Sequence, residues 1–361
     1  MNPAKPTGDP SDYDVSAAWD QDNQAWWDWY VGLADESEGD GGQHALVDVA
    51  LEPDPRQFDV LPLAELREEL ARPYALPKGA EGAFRKQSYI KLPGVLSPRA
   101  VRTLRAEIVS VLSQTFATAL DQPPPAAADG ARAQAAEGRR FFSAEMVWLD
   151  NPVIAAFTLS PRIAQICAKL LGVEAVRLYH DNLLSKEPGC GRTPWHYDDH
   201  HFPLATNQVV TAWIAAQAIP RAMGPLAFAT GIDTWKTVAD IPFSKADTSY
   251  DRRVAETFRA ADVTVDDGAF AAGEVSFHHN LNFHTAGPNR TTLSRCVLAN
   301  TFFEDGARLV DEPTMVSGDW RKFLPGVEPG GIAASDLNPI CWPTDDNRAA
   351  QGSADAPTHS E

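Results

Sequence analysis

Trp195-His196-Tyr197-Asp198-Asp199-His200-His201 sets an imidazole and a carboxylate two residues apart. On an extended strand alternate side chains share a face, so His196 and Asp198 can both reach one ion. A third ligand is available far along the chain in His284, within Phe283-His284-Thr285-Ala286-Gly287-Pro288-Asn289-Arg290. Two imidazoles and one carboxylate on one face of an octahedron leave three positions open, which suits non-haem Fe(II) oxygenase chemistry. Zinc accepts the same ligands, so a zinc hydrolase, or a metal-holding β-barrel that binds a ligand, stays open on ligand identity alone. Of nine histidines, His196, His200 and His201 form one cluster and His278, His279 and His284 another. A site built from two distant strands needs that distribution.

The elements that must position these residues are mostly strands. Residues 175–186, 193–198, 208–218, 226–229, 274–277 and 294–303 are short apolar or alternating runs separated by Gly and Pro turns. That pattern predicts a β-sandwich or barrel. Helices flank it. Ser97-Pro98 and Ser160-Pro161 each place a capping hydroxyl before a proline at the first helical position. The first of these helices carries Val101, Leu104, Ile108 and Leu112 on one face. Residues 61–71 also have helical spacing, and residues 141–149 are expected to form a strand.

The domain organisation follows composition. Residues 1–83 form an acidic extension, with Trp19, Trp26, Trp27, Trp29 and Tyr30 expected to dock on the main domain or at a homodimer contact. The main domain is expected over residues 84–343. A loop at 121–138 and a charged, partly helical insertion at 231–272, a natural lid, interrupt it, and a disordered tail follows from 344. In 361 residues, 44% hydrophobic, there is ample material for a core. A formal net charge of −18 argues against nucleic acid or anionic membrane as partner. The four scattered cysteines fit a reducing compartment. With no secretory leader and no apolar run near the ~20 residues of a membrane span, the expectation is a cytoplasmic protein acting on a small molecule.

Four pieces, in order, carry a family resemblance: Ser88-Tyr89-Ile90-Lys91-Leu92-Pro93-Gly94-Val95-Leu96-Ser97; Thr193-Pro194-Trp195-His196-Tyr197-Asp198; Met223-Gly224-Pro225-Leu226-Ala227-Phe228-Ala229-Thr230-Gly231; and Gly273-Glu274-Val275-Ser276-Phe277 through to Arg290. Together they resemble the phytanoyl-CoA dioxygenase family of Fe(II)- and 2-oxoglutarate-dependent oxygenases, over about residues 84–343. The resemblance implies a mainly β fold with flanking α-helices around a double-stranded β-helix, a jelly-roll core of cupin type. It implies Fe(II), 2-oxoglutarate and O2 as cofactors, with succinate and CO2 as coproducts.

Carried over position by position, His196, Asp198 and His284 match the metal ligands and catalytic centre. Arg295 matches the arginine that takes the distal carboxylate of 2-oxoglutarate, a task for a rigid guanidinium fork. Trp213 matches an aromatic beside the cosubstrate. Tyr197 stands where the family commonly has Gln, and strand alternation points it away from the metal. Related halogenases lack the carboxylate, so Asp198 implies hydroxylation or a related oxidation such as desaturation, ring formation or epimerisation. Asn182, Lys186, Asp199, His200 and His201 are candidate substrate contacts from their places beside the ligand strand. Arg252 and Arg253 on the insertion are weighed as contacts to an acidic substrate against a solvated helix face. Nothing clearly places a basic cluster for a CoA phosphate.

Overall fold

The computed structural model describes residues 46–50, 59–118, 120, 141–241, 249–313 and 319–344. The Trp-rich segment, the 121–138 loop and the tail beyond Thr344 lie outside these residues.

Two antiparallel sheets face each other. The larger has seven strands: β1 (Tyr89–Leu92), β2 (Phe141–Glu145), β3 (Val176–Lys186), β5 (Val209–Ala215), β8 (Val275–His279), β10 (Arg295–Glu304) and β11 (Ile340–Trp342). Their order is β1-β8-β5-β10-β3-β11, with β2 also paired to β3. The smaller sheet has the order β4-β9-β6-β7, from β4 (Thr193–His196), β9 (His284–Ala286), β6 (Leu226–Ala229) and β7 (Val265–Asp266). This is a double-stranded β-helix of cupin type with flanking helices.

One face of the large sheet is covered by helices. Among them are α1 (Leu63–Ala71), α2 (Ala80–Gln87), α3 (Pro98–Thr115), α4 (Pro152–Thr158) and α5 (Pro161–Leu171). Ser97 Oγ accepts from the Ala100 N–H and Ser160 Oγ from the Ile163 N–H, so both Ser-Pro starts act as N-caps. Asn151-Pro152 does the same for α4, which the sequence reading passed over although it carries the same signal. Leu104, Ile108 and Leu112 pack with Ile166, Leu170, Phe277 and Leu298 in this outer core. Leu66 and Leu70 of α1 join it, so core packing extends N-terminal to Phe84. Residues 152–171 are apolar and long enough in total to cross a membrane, contrary to the reading that no run approaches that length. They are two helices that break at Leu159-Ser160, and 61% of the stretch is buried inside the protein.

The inner face of the large sheet carries rows of facing residues. Thr211 sits opposite His278 on one side and Thr301 on the other, and Thr301 sits opposite His180. The next row runs Trp213, Ala299, Asn182 and Glu145. Further along, Arg295 faces Lys186, which faces Phe141. A bulge in β3 shifts the register at Thr301/Phe302 and leaves Tyr179 without a partner position. Bulges re-aim side chains. Here Val176 and Leu178 join the helix-side core, whereas Tyr179 and His180 both turn to the inner side.

Beside His180, Asp181 is fully buried; one carboxylate oxygen accepts from the Trp148 N–H at 3.1 Å and the other has no partner. Burial pushes its carboxyl up to about 7. A raised native value adds stability that is fully present below the unfolded carboxylate value near 4 and is lost as pH rises through 7. Wild type is therefore expected to lose stability relative to Asp181→Asn by about 1.4 kcal/mol per pH unit between about pH 4 and 7, and to level off above 7. Melting curves of both proteins across about pH 4 to 8 check this, and a stability difference that stays constant over that range would refute it.

Candidate metal and cosubstrate site

His196 and His284 are direct cross-strand partners in the β4–β9 pair, and their ring centroids lie 4.1 Å apart. Facing residues of an antiparallel pair hold their Cβ atoms about 5 Å apart, so the pairing alone delivers two imidazoles to one place. β4 ends at His196, and Asp198 is the first residue of a 3-10 turn (Asp198–His201), not the third position of a strand as expected. The alternation survives because Tyr197 keeps extended dihedrals, φ −131° and ψ 150°. Tyr197 itself turns away, its ring packing on His200 at 4.1 Å and Phe283 at 4.9 Å.

Asp198 Oδ1 lies 3.7 Å from His196 Nε2 and 3.6 Å from His284 Nε2. Two donors each about 2.1 Å from one metal sit roughly 3.0–3.4 Å apart, so a small inward movement closes the set. Each imidazole is held by its other nitrogen: His196 Nδ1 is 2.8 Å from the Pro194 carbonyl oxygen and His284 Nδ1 is 3.0 Å from that of Asn282. A carbonyl only accepts, so Nδ1 carries the proton and Nε2 offers its lone pair. Burial lowers both imidazoles, for His284 well below its ordinary value. Burial alone would raise Asp198, but His284, the hydrogen bond from His278 and His196 pull harder, and the carboxyl stays well below the usual range. Neutral imidazoles and an ionised carboxylate are the states a cation requires.

His278 was counted in its cluster but given no role by the sequence reading. Its Nε2 lies 3.2 Å from Asp198 Oδ2, and Thr211 Oγ1 donates to the same oxygen at 3.3 Å. The outer oxygen is thus engaged while Oδ1 faces the histidines. Strand parity could have found His278, since Ser276 and His278 share the face opposite Val275 and Phe277, but only if the inner face were known.

Arg295 is 2% exposed and shares the cavity with the triad. Its Nη1 donates to the Gly224 carbonyl at 2.6 Å, Trp213 packs 5.4 Å from the guanidinium carbon, and its Nε has no partner. Burial pushes its pKa down to about 10. Among the described residues, no carboxylate is paired with it.

Gly224 fixes this arginine. It adopts φ +71°, and a Cβ there would lie 2.1 Å from the Gly287 carbonyl oxygen. Gly224→Ala is expected to cost about 1–3 kcal/mol from overpacking and to raise KM for 2-oxoglutarate more than it lowers kcat. Melting temperature and steady-state kinetics check both parts, and an unchanged KM would detach this turn from cosubstrate binding.

The candidate substrate residues divide. Asn182 and His201 line the cavity. Lys186 does not: it is fully buried, with its amine 2.9 Å from the Gly287 carbonyl and 3.5 Å from that of Ala286. Asp199 accepts from Asn280 Nδ2 at 2.8 Å, and His200 stacks on Tyr197; neither lines the cavity. Local hydrogen bonding and packing claimed these three. Arg252 and Arg253 are exposed on helix α6 (Tyr250–Ala260) of the 231–272 insertion. That helix is tied to the ligand strand, since Asp251 accepts from the Trp195 N–H at 2.7 Å and lies 3.3 Å from Arg192. Tyr250, Val254 and Phe258 pack on Trp195 and Phe283, the residues just before the two histidines.

A family model described as phytanoyl-CoA dioxygenase (PhyH) matches residues 84–297. No curated protein sequence matches this chain. Among solved structures, the non-heme alpha-ketoglutarate-dependent carbocyclase SnoK from nogalamycin biosynthesis is 23% identical with a TM-score of 0.57, covering 74% of this chain and 99% of its own. The epimerase SnoN from the same biosynthesis is 20% identical with a TM-score of 0.53, covering 78% and 100%. EctD from S. alaskensis with bound Fe is 17% identical with a TM-score of 0.53, covering 74% and 92%. At these identities the likeness is one of fold.

Proposed function

Because this chain belongs to the phytanoyl-CoA dioxygenase family, we propose that it hydroxylates an unactivated C–H of a small metabolite, with succinate and CO2 as coproducts. It is an oxidoreductase with iron and 2-oxoglutarate as cofactors and O2 as cosubstrate. One observation carries the specific reading: an open-sided His–Asp–His donor set shares a cavity with a buried arginine that has no carboxylate of its own. A zinc hydrolase or a structural metal site has no use for that arginine. The donor set also fits iron by its chemistry, with three ligand atoms within 4.8 Å of one another.

In this reading His196, Asp198 and His284 hold the metal. Bound there, iron supplies O2 activation coupled to the decarboxylation of 2-oxoglutarate. The chain's own residues do the positioning. The Pro194 and Asn282 carbonyls fix the imidazole tautomers. His278 and Thr211 occupy Asp198 Oδ2, which leaves Oδ1 for the metal. Arg295 binds the distal carboxylate, held by Gly224 and covered by Trp213. Phe141, Leu184, Leu226 and Ala286 line the cavity with it and exclude water from the chelate. The carbocyclisation and epimerisation named for SnoK and SnoN are other outcomes of one cofactor set, so product analysis has to accompany any turnover assay.

The test is anaerobic titration of metal-free protein with Fe(II) and then 2-oxoglutarate, followed by the weak visible charge-transfer band of the chelate. Formation of the band supports the reading. Its absence, with tight zinc binding instead, moves the weight to a hydrolase.

A further inference from the structure

The cavity has a second end, away from Arg295. Along β10, Arg295 and Thr301 both line it and lie six residues apart, about 20 Å at strand rise. The triad's contact to the sheet is at the Thr211 row, next to Thr301. Over β3 the lining is His180 in that row and Asn182 and Glu145 one row nearer Arg295, with His201, Phe202 and Phe323 beside them. Among the described residues, Arg295 is the one lysine or arginine that lines the cavity, and it is at the opposite end. Glu145 is already paired with Lys322 at 2.7 Å.

From this lining, and resting on the oxygenase reading above, we propose that the β3 end binds an uncharged, ring-bearing substrate, with His180 Nε2 accepting from its hydroxyl and Asn182 Nδ2 donating to its carbonyl. Three observations carry the proposal. The His180 Nδ1 lies 3.0 Å from the Asp181 carbonyl oxygen, so Nδ1 carries the proton and Nε2 is an acceptor. Asn182 Oδ1 accepts from Ser143 Oγ at 2.8 Å, which leaves its amide N–H groups as donors. Residues 180 and 182 are two apart on one strand face, about 7 Å, the span of a fused bicyclic ring with oxygens at its two ends. Aromatic walls complete the slot: His180 lies 4.9 Å from Phe323 and 6.1 Å from Phe202, ring to ring. Such faces favour flat rings. Burial lowers His180, and lowers His201 to about 4, so both are neutral near pH 7. An anionic group entering here meets Glu145, and the nearby Lys322 is already taken by that carboxylate, which disfavours carboxylates and the phosphates of a CoA thioester.

The test uses the full chain loaded anaerobically with Fe(II) and 2-oxoglutarate. Calorimetry measures binding of 6-hydroxy-1-tetralone, 6-methoxy-1-tetralone, 6-hydroxy-2-naphthoate and octanoyl-CoA. The hydroxytetralone is expected to bind most tightly, with the methoxy compound about tenfold weaker for want of one hydrogen bond. In His180→Phe that tenfold difference should vanish, and Phe323→Ala should weaken both tetralones about tenfold. Tighter binding of naphthoate or octanoyl-CoA, no heat with the hydroxytetralone, or a hydroxy-to-methoxy ratio unchanged in His180→Phe would each overturn the proposal. The visible chelate band in the same samples separates this failure from failure of the oxygenase reading and reports that each variant is folded at the metal.

Discussion

His284→Ala is expected to remove the visible Fe(II)–2-oxoglutarate band and to lower iron affinity more than about 100-fold. The size follows from the burial and coupling of the site. Groups that merely orient a metal ligand typically cost 10–100-fold when removed, so the loss of a ligand exceeds that range. His284 is also the direct cross-strand partner of His196, at 4.1 Å between rings. Deleting it leaves two donors and an unbalanced carboxylate. His278→Ala provides the graded comparison. It frees Asp198 Oδ2 without removing a ligand, so iron affinity should fall within the 10–100-fold range and the band should persist in altered form. Equilibrium metal titration under nitrogen, read beside the band, distinguishes the two. Equal losses in both variants would mean that His278 is itself a ligand, and no loss in His284→Ala would place the metal elsewhere.

Arg295→Ala should raise KM for 2-oxoglutarate by roughly two to three decades while iron alone still binds. Truncating one partner of a buried, hydrogen-bonded charge pair costs about 2–5 kcal/mol, or about 1.4–3.6 decades, and the expected rise lies in the middle of that span. Arg295 is suited to such a pair: it is buried, its Nε is unmet among the described residues, and the Gly224 carbonyl anchors its Nη1. Arg295→Lys should recover only part of the loss, because an ammonium cannot reproduce the planar fork. Initial-rate kinetics with varied 2-oxoglutarate, together with the chelate titration, measure the effect. A KM within twofold of wild type would show that another group takes the distal carboxylate.

Some of this was legible residue by residue. The Ser-Pro helix starts are local hydrogen-bond chemistry, and both cap as read. Strand positions followed from short apolar runs between Gly and Pro turns, with ends differing by a few residues. The Phe141–Glu145 strand stops sooner than expected because Met146 takes φ 60° and a 3-10 turn follows. Helix α2 (Ala80–Gln87) carries no strong apolar stripe, with Ala80 and Phe84 its buried residues, and so escaped notice.

The chain alone determined which residue types lie two apart and which turns reverse it, and so offered His196, Asp198 and His284 as candidates; the family resemblance added Arg295, and the fold gathers all four into one cavity. It could not decide which face each remaining side chain takes, because that depends on register. The alternation Val176, Leu178, His180 puts all three on one face, yet the bulge in β3 sends the first two to the helix core and His180 into the cavity. His278 meets Asp198 across 80 positions, and Asp251 meets Trp195 across 56. Lys186 has the parity of a cavity residue, but backbone carbonyls of the facing sheet hold its amine. Spacing in the sequence limits what one strand can present; contacts between strands, which only the closed sheets create, decide what is presented and to what.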